Sequence, residues 1–231
     1  MCLIIGLFVC FGSCKASVAE TNDAEAAAPE VSGLTLDMDE GPDVILDAYK
    51  EPALKDGVVG FFQELTGSRE VASVVLSNAA SLDISPALAF ALCWEESRYN
   101  PRAFNRNRND TVDRGLFQLN SASFPKLKVD DFYNPDINAQ YGLSHLDWCL
   151  KNASTEVAAL AMYNAGTTRV RSAGTPINTL DYISRILKRR RKIEELFIVE
   201  SIHFPQTEGV NAAVEPVKMP FRLSLLTPIG R

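Results

Sequence analysis

Residues 86–97, PALAFALCWEES, are apolar around their whole circumference until they end in two adjacent carboxylates, Glu95 and Glu96. Ser85-Pro86 opens this segment as a helix, with proline at the favoured first position. Asn100-Pro101 closes it, because the residue before a proline is pushed out of helical conformation. A helix that is hydrophobic all round is a buried one. Apolar residues recur at helical spacing over 57–66, 68–81, 137–151, 154–163 and 178–197, with Ser68 as N-cap of the second of these. Strand alternation is weak everywhere, and the Arg-, Asn- and Asp-rich stretch 101–114 reads as a long loop. These patterns predict a mostly α domain covering about 57–198.

The charge distribution separates this domain from what precedes it. The chain of 231 residues has a net charge of −6, yet residues 15–51 hold ten acids against two lysines, leaving the remainder at +2. Residues 3–11, LIIGLFVCF, are too short to span a bilayer but fit the apolar region of an export signal. The basic flank expected before them is absent, which leaves the true start open. Phe11-Gly12-Ser13-Cys14 resembles a relaxed bacterial lipobox, so residues 1–14 are expected to be a signal, with Cys14 lipidated. Residues 15–56 are expected to be an acidic tether, flexible over 15–42 where large apolar residues are few. Residues 199–231, with four prolines, form an extension expected to pack on the domain, cover its site or dock a cell-wall or secretion-assembly partner.

Cys93 and Cys149 lie in apolar helical stretches, and their spacing leaves open whether they pair or stay buried thiols. No Cys/His cluster has metal-ligand spacing, so no metal or cofactor is expected. His145 and His203 read as surface or helix-end residues. The run Lys188-Arg189-Arg190-Arg191-Lys192 reads as a solvated helix face rather than a nucleic-acid site, since base-stacking aromatics are not interleaved with it.

The stretch Trp94–Asn120 carries the chemistry. A carboxylate ending an apolar helix faces desolvation, which disfavours its charged form and raises its pKa, and that is how a Glu becomes a general acid near neutral pH. Five arginines (98, 102, 106, 108 and 114) follow closely. Beside a substrate groove they would favour acidic groups of the substrate.

Five elements in order give this stretch a specific resemblance. Glu96-Ser97-Arg98-Tyr99-Asn100-Pro101-Arg102-Ala103 resembles the E-S-x-x-N-P-x-A motif of the soluble lytic transglycosylase family. Gly115-Leu116-Phe117-Gln118 resembles its G-L-M-Q motif, and Ala161-Met162-Tyr163-Asn164-Ala165-Gly166 its A-x-Y-N-A-G motif. Tyr133–Asn138 is similar to the D-P-x-x-N-I segment, and Thr179-Leu180-Asp181-Tyr182 to the late T-x-x-Y element. The resemblance implies a lysozyme-like α-helical fold with a glycan-binding groove and no cofactor. It selects Glu96 over Glu95 as the catalytic acid/base, a choice that periodicity leaves open. It implies that Gln118 and Tyr163 bind sugar acetamido or hydroxyl groups and that Asn164 helps hold the loop, with Tyr182 a further candidate. The serine usual nine residues after the Glu is Asn105 here, so no serine contact is carried over.

A second resemblance points elsewhere. Asp113-Arg114-Gly115-Leu116-Phe117-Gln118-Leu119-Asn120-Ser121 is similar to the segment of animal-type lysozymes that carries their second carboxylate, and the spacing of seventeen from Glu96 matches. Transglycosylation needs Glu96 alone and leaves 1,6-anhydro ends; lysozyme-type hydrolysis adds Asp113 as nucleophile. A third alternative is an inactive peptidoglycan-binding scaffold. The expected setting is periplasmic, on peptidoglycan strands, with a lipid anchor in the outer membrane. If Cys14 carries that anchor, Cys14→Ala abolishes lipid-dependent processing and moves the protein from the detergent phase to the aqueous phase in a partitioning assay.

Overall fold

The computed structural model describes residues 41–202 and Phe204. Cys14, His203 and most of the tether and extension lie outside the described residues. At the centre stands α4, Pro86–Ser97, whose residues from Pro86 to Cys93 are all buried. Ser85 caps its N-terminus by accepting from Leu88 N, and Arg98 ends it in the left-handed region at φ 54°.

The helices predicted around it form with small shifts in their ends. They are α2 (Lys55–Thr66), α3 (Arg69–Ser81), α5 (Pro135–Asn152), α6 (Glu156–Ala165) and α8 (Ile177–Ser201), with a short α7 (Thr167–Ala173) before α8. Ser68 accepts from Val71 N as the expected N-cap of α3. Phe62 stacks on Phe90 of α4 at 3.9 Å between ring centres, and Phe61 meets Phe197 of α8 edge-on at 5.3 Å. Buried aromatic pairs of this kind contribute about 1 kcal/mol each beyond the area they bury. None of the helices among the described residues is long and apolar enough to cross a membrane.

The predicted boundaries are corrected at both ends. Residues assigned to the tether include a helix, α1 (Val44–Lys50), which buries Ile45, Leu46 and Tyr49, while Asp43 caps it by accepting from Ile45 N and Leu46 N. Seven residues give too short a periodic pattern to stand out inside an acidic stretch. At the other end α8 runs on to Ser201, and Phe204 is buried against Phe197 and closely over Gly57. The core therefore draws on residues beyond 57–198.

The expected loop 101–114 is likewise corrected. It contains two strands, β1 (Phe104–Arg106) and β2 (Val112–Arg114), which form a small antiparallel sheet with β3 (Leu119–Asn120) in the order β1-β2-β3. The register sets Asn105 opposite Asp113 and Asp113 opposite Asn120. All three residues of β1 are exposed, so no alternation of apolar and polar residues marks it. The basic run is mixed in character. Lys188 and Arg191 are exposed, whereas Arg190 pairs with Glu156 and Glu194 and Arg189 lies 4.3 Å over the Trp94 ring.

One side chain fixes the sheet and its turn to the helices. Asn138 of α5 is wholly buried, accepts from Phe117 N at 2.8 Å, and donates to Arg114 O at 2.9 Å and Phe132 O at 2.8 Å. Gly115 lies so close beneath it, at φ +78°, that an added Cβ would sit 2.2 Å from the Asn138 amide and from Phe132 O. Asn138→Ala leaves three backbone groups without their partner, and unmet buried groups cost on the order of 1–3 kcal/mol each. It is expected to lower stability by about 3 kcal/mol, read as a shift of the midpoint in urea unfolding with an unchanged slope.

Candidate active site

The two carboxylates at the end of α4 are separated by their partners. Glu95 is held at 2.6 Å by Arg185 of α8. Glu96 receives the Tyr182 hydroxyl of the same helix, which donates to Oε1. Tyr182 and Arg185 stand one turn apart on α8, so one helix face holds both acids in different ways. Periodicity had left the two acids equivalent.

The other residues singled out by the motifs lie on α6, on the turn between β2 and β3, and on β2. In α6, Tyr163 donates to Phe117 O at 3.2 Å, which ties that helix to the turn between β2 and β3. Asn164 accepts from Thr179 Oγ1 at 2.9 Å, tying α6 to the start of α8. Gln118, in the turn, has left-handed backbone (φ 46°) and donates from Nε2 to Gly115 O at 3.0 Å. The role of Thr179 in the link to Asn164 had not been singled out, although it stands in the T-x-x-Y element.

Asp113, on β2, is engaged by three amide donors, and its charge is felt at Glu96. It accepts from Asn120 Nδ2 at 2.7 Å, Asn107 Nδ2 at 2.9 Å and Asn105 Nδ2 at 3.4 Å. Sequence pattern does not show this amide cradle, because the register of three short strands sets Asn105 and Asn120 opposite Asp113 and the loop after β1 brings in Asn107.

Burial pushes the Glu96 carboxyl from its ordinary value of 4.5 up to about 8. The Tyr182 hydrogen bond opposes that rise, since it favours the charged form, while the negative charges of Glu95 and Asp113 add to it. Burial also drives the Tyr163 and Tyr182 phenols well above their usual value, so both are neutral donors across the physiological range. Glu96 is thus protonated at neutral pH.

The other candidates fall outside this cluster. Cys93 and Cys149 are both buried and free; Cys93 Sγ points at Leu116 O at 3.6 Å, and burial raises both thiols, Cys149 to about 11. Three of the five arginines lie over aromatic rings: Arg98 over Trp94, Arg102 over Tyr133 and Arg114 over Phe104 and Phe132. His145 is neither a surface nor a helix-end residue. It sits within α5, half-buried against Phe124, Trp148 and Tyr163.

The transglycosylase SLT domain profile matches residues 73–183, a span that holds Glu96, Asp113, Gln118, Tyr163, Asn164 and Tyr182. The chain is 30% identical to invasion protein IagB of Salmonella typhi over 120 residues, which is 49% of this chain and 72% of that protein. It is also 32% identical over 96 residues to the IagB proteins of Salmonella typhimurium strains SL1344 and LT2, across 39% of this chain and 60% of theirs. The chain belongs to the transglycosylase SLT domain family. Members of the SLT family are lytic transglycosylases, and the match supports a peptidoglycan-acting function of that type.

The raised carboxyl has a measurable consequence for stability. Between pH 4.5 and about 8 the folded protein keeps the Glu96 proton that the unfolded chain has lost, so folding weakens as pH rises through that window. Glu96→Gln removes the titration. Its stability relative to wild type is expected to grow with pH across the window and to level off above about 8, as followed by chemical denaturation at a series of pH values. Tyr182→Phe, which removes a bond that favours the charged form, moves the upper edge of the window higher.

Proposed function

We propose that this protein is a peptidoglycan lytic transglycosylase. In this reading it cleaves the β-1,4 bond between N-acetylmuramic acid and N-acetylglucosamine, with Glu96 as its single acid and base. The observation that carries the proposal is the contrast between the two carboxylates. Glu96 is desolvated, raised to about 8 and met by one phenol, whereas Asp113 is engaged by three amide donors.

The step balances on one carboxyl group. Glu96 donates its proton to the glycosidic oxygen as the bond from C1 of N-acetylmuramic acid to that oxygen breaks and positive charge develops at C1. The C6 hydroxyl of the same sugar then attacks C1, and its proton passes to the Glu96 carboxylate, restoring the acid. The products are a free 4-hydroxyl on one side and a 1,6-anhydro end on the other, with no water consumed. A pKa near 8 suits both halves, because the acid starts protonated at neutral pH and its conjugate base is strong enough to receive a proton.

Neighbouring groups fit supporting roles. Tyr182 fixes the orientation of the carboxyl and contributes to stabilising its anion once the proton has left. Tyr163 and Gln118 offer polar atoms to the acetamido and hydroxyl groups of the sugar, and the Thr179–Asn164 bond holds the α6–α8 corner around them. Asp113 shapes the sheet and adds negative potential near C1. Its amide cradle supports this structural role over that of a nucleophile. The proposed setting is the periplasm, on a lipid anchor at Cys14.

Product mass decides the reaction. Purified peptidoglycan digested by the wild-type protein is expected to give fragments ending in anhydro sugars, lighter by one water than hydrolytic fragments. Glu96→Gln is expected to lose at least about a hundredfold in turnover, while Asp113→Asn keeps most of its turnover and the same anhydro ends. Reducing ends from the wild type, together with an inactive Asp113→Asn, establish lysozyme-type hydrolysis instead. Glycan binding without either kind of end establishes a scaffold.

A further inference from the structure

Tyr141, His145 and Trp148 stand at i, i+4 and i+7 on α5, the spacing that sets side chains on one helix face. Such a stripe is ordinarily packed into a core. Here Tyr141 is 39% exposed and Trp148 44% exposed. The rings are ordered against one another despite this. His145 lies parallel to Trp148, at 8° and 6.3 Å between centres, and Phe124 meets Tyr141 edge-on at 5.7 Å and His145 at 6.4 Å.

The stripe connects with the candidate active site. His145 packs on Tyr163 at 5.0 Å, so two ring-to-ring steps lead from the wall of the Glu96 site to Trp148. Burial lowers the pKa of His145, which favours the uncharged form of its ring. Around the rings the face is polar: Gln140, Ser144 and Asn152 are exposed, and Asp147 pairs with Lys151 at 2.7 Å. A face made of separate planar rings with polar gaps lacks the contiguous apolar area of a protein-docking patch. It does match a pyranose chain, whose C–H faces lie against rings while its hydroxyls reach the polar groups between them.

We propose that Tyr141, His145 and Trp148, braced by Phe124, form a saccharide-stacking platform that continues the Glu96 site and binds the more distant sugars of a long glycan strand. The inference rests on the glycan-acting reading of the site given above. Its distinctive consequence is a dependence on chain length. Short oligosaccharides fill the site around Glu96, and only longer strands gain from the platform.

The test compares wild type, Trp148→Ala, the double variant Tyr141→Ala/Trp148→Ala and Trp148→Phe on glycan strands of increasing length, from a tetrasaccharide upward. The KM advantage of long strands over the tetrasaccharide is expected to shrink about tenfold in the double variant, with Trp148→Phe restoring most of it. An unchanged ratio overturns the platform. So does a fall in kcat by the same factor at every length, which would mean that the rings only brace Tyr163. Sedimentation with purified peptidoglycan is read in parallel. A wild type without turnover overturns the proposed reaction, while the platform then stands or falls on whether the double variant loses strand binding about tenfold.

Discussion

The three hydrogen bonds of Asn138 are the constraint on which the site depends. A turn running from Arg114 to Phe117 passes under α5 with its backbone groups facing inward, where water does not reach them. One buried amide satisfies Phe117 N, Arg114 O and Phe132 O together. With that turn fixed, Phe117 O is placed to accept from Tyr163, and β2 and β3 leave the turn in the register that sets Asp113 against Asn120. A side chain of α5 therefore sets the position of Phe117 O and of the strand that carries Asp113. Gly115 belongs to the same device, since the close approach of Asn138 leaves no room for a Cβ.

Burial does two opposite things within the same helix. It makes α4 the centre of the core, and it makes the end of α4 a poor place for a negative charge. The protein answers the second problem differently at adjacent residues. Glu95 is met by the Arg185 guanidinium near the surface. Glu96 has a neutral phenol as partner, which satisfies a hydrogen bond without supplying a compensating charge. Burial raises the Glu96 carboxyl, and the Tyr182 hydroxyl, one turn from Arg185 on α8, only partly offsets that rise.

What could be read from the sequence followed from local signals of sufficient length. The helices around α4 announced themselves by periodicity, Ser68 by its place before an apolar run, and the end of α4 by Asn100-Pro101. Of the motif residues, Tyr182 meets the Glu96 carboxyl directly, Tyr163 is tied to the β2–β3 turn and Asn164 to the start of α8; their roles in the reaction rest on the proposal above. The features that escaped depend on tertiary context. The strands are two or three residues long, and β1 is wholly exposed, so no alternation marks them. Helix α1 and Phe204 owe their order to the core they complete. His145 looked like an isolated polar residue because its aromatic partners, Phe124 and Tyr163, lie at non-helical distances along the chain.

Tyr182 and Thr179 both lie on α8, whereas Glu96 lies eighty-six residues before Tyr182. During synthesis the ribosome has therefore made the acid and the β2–β3 turn well before the helix that completes their surroundings. Until α8 docks against α4, the Glu96 carboxyl lacks the Tyr182 hydroxyl that meets it in the folded chain. The chain gains that partner in the same event that packs α8 onto the central helix. Completion of the surroundings of the carboxyl is thereby tied to completion of the fold.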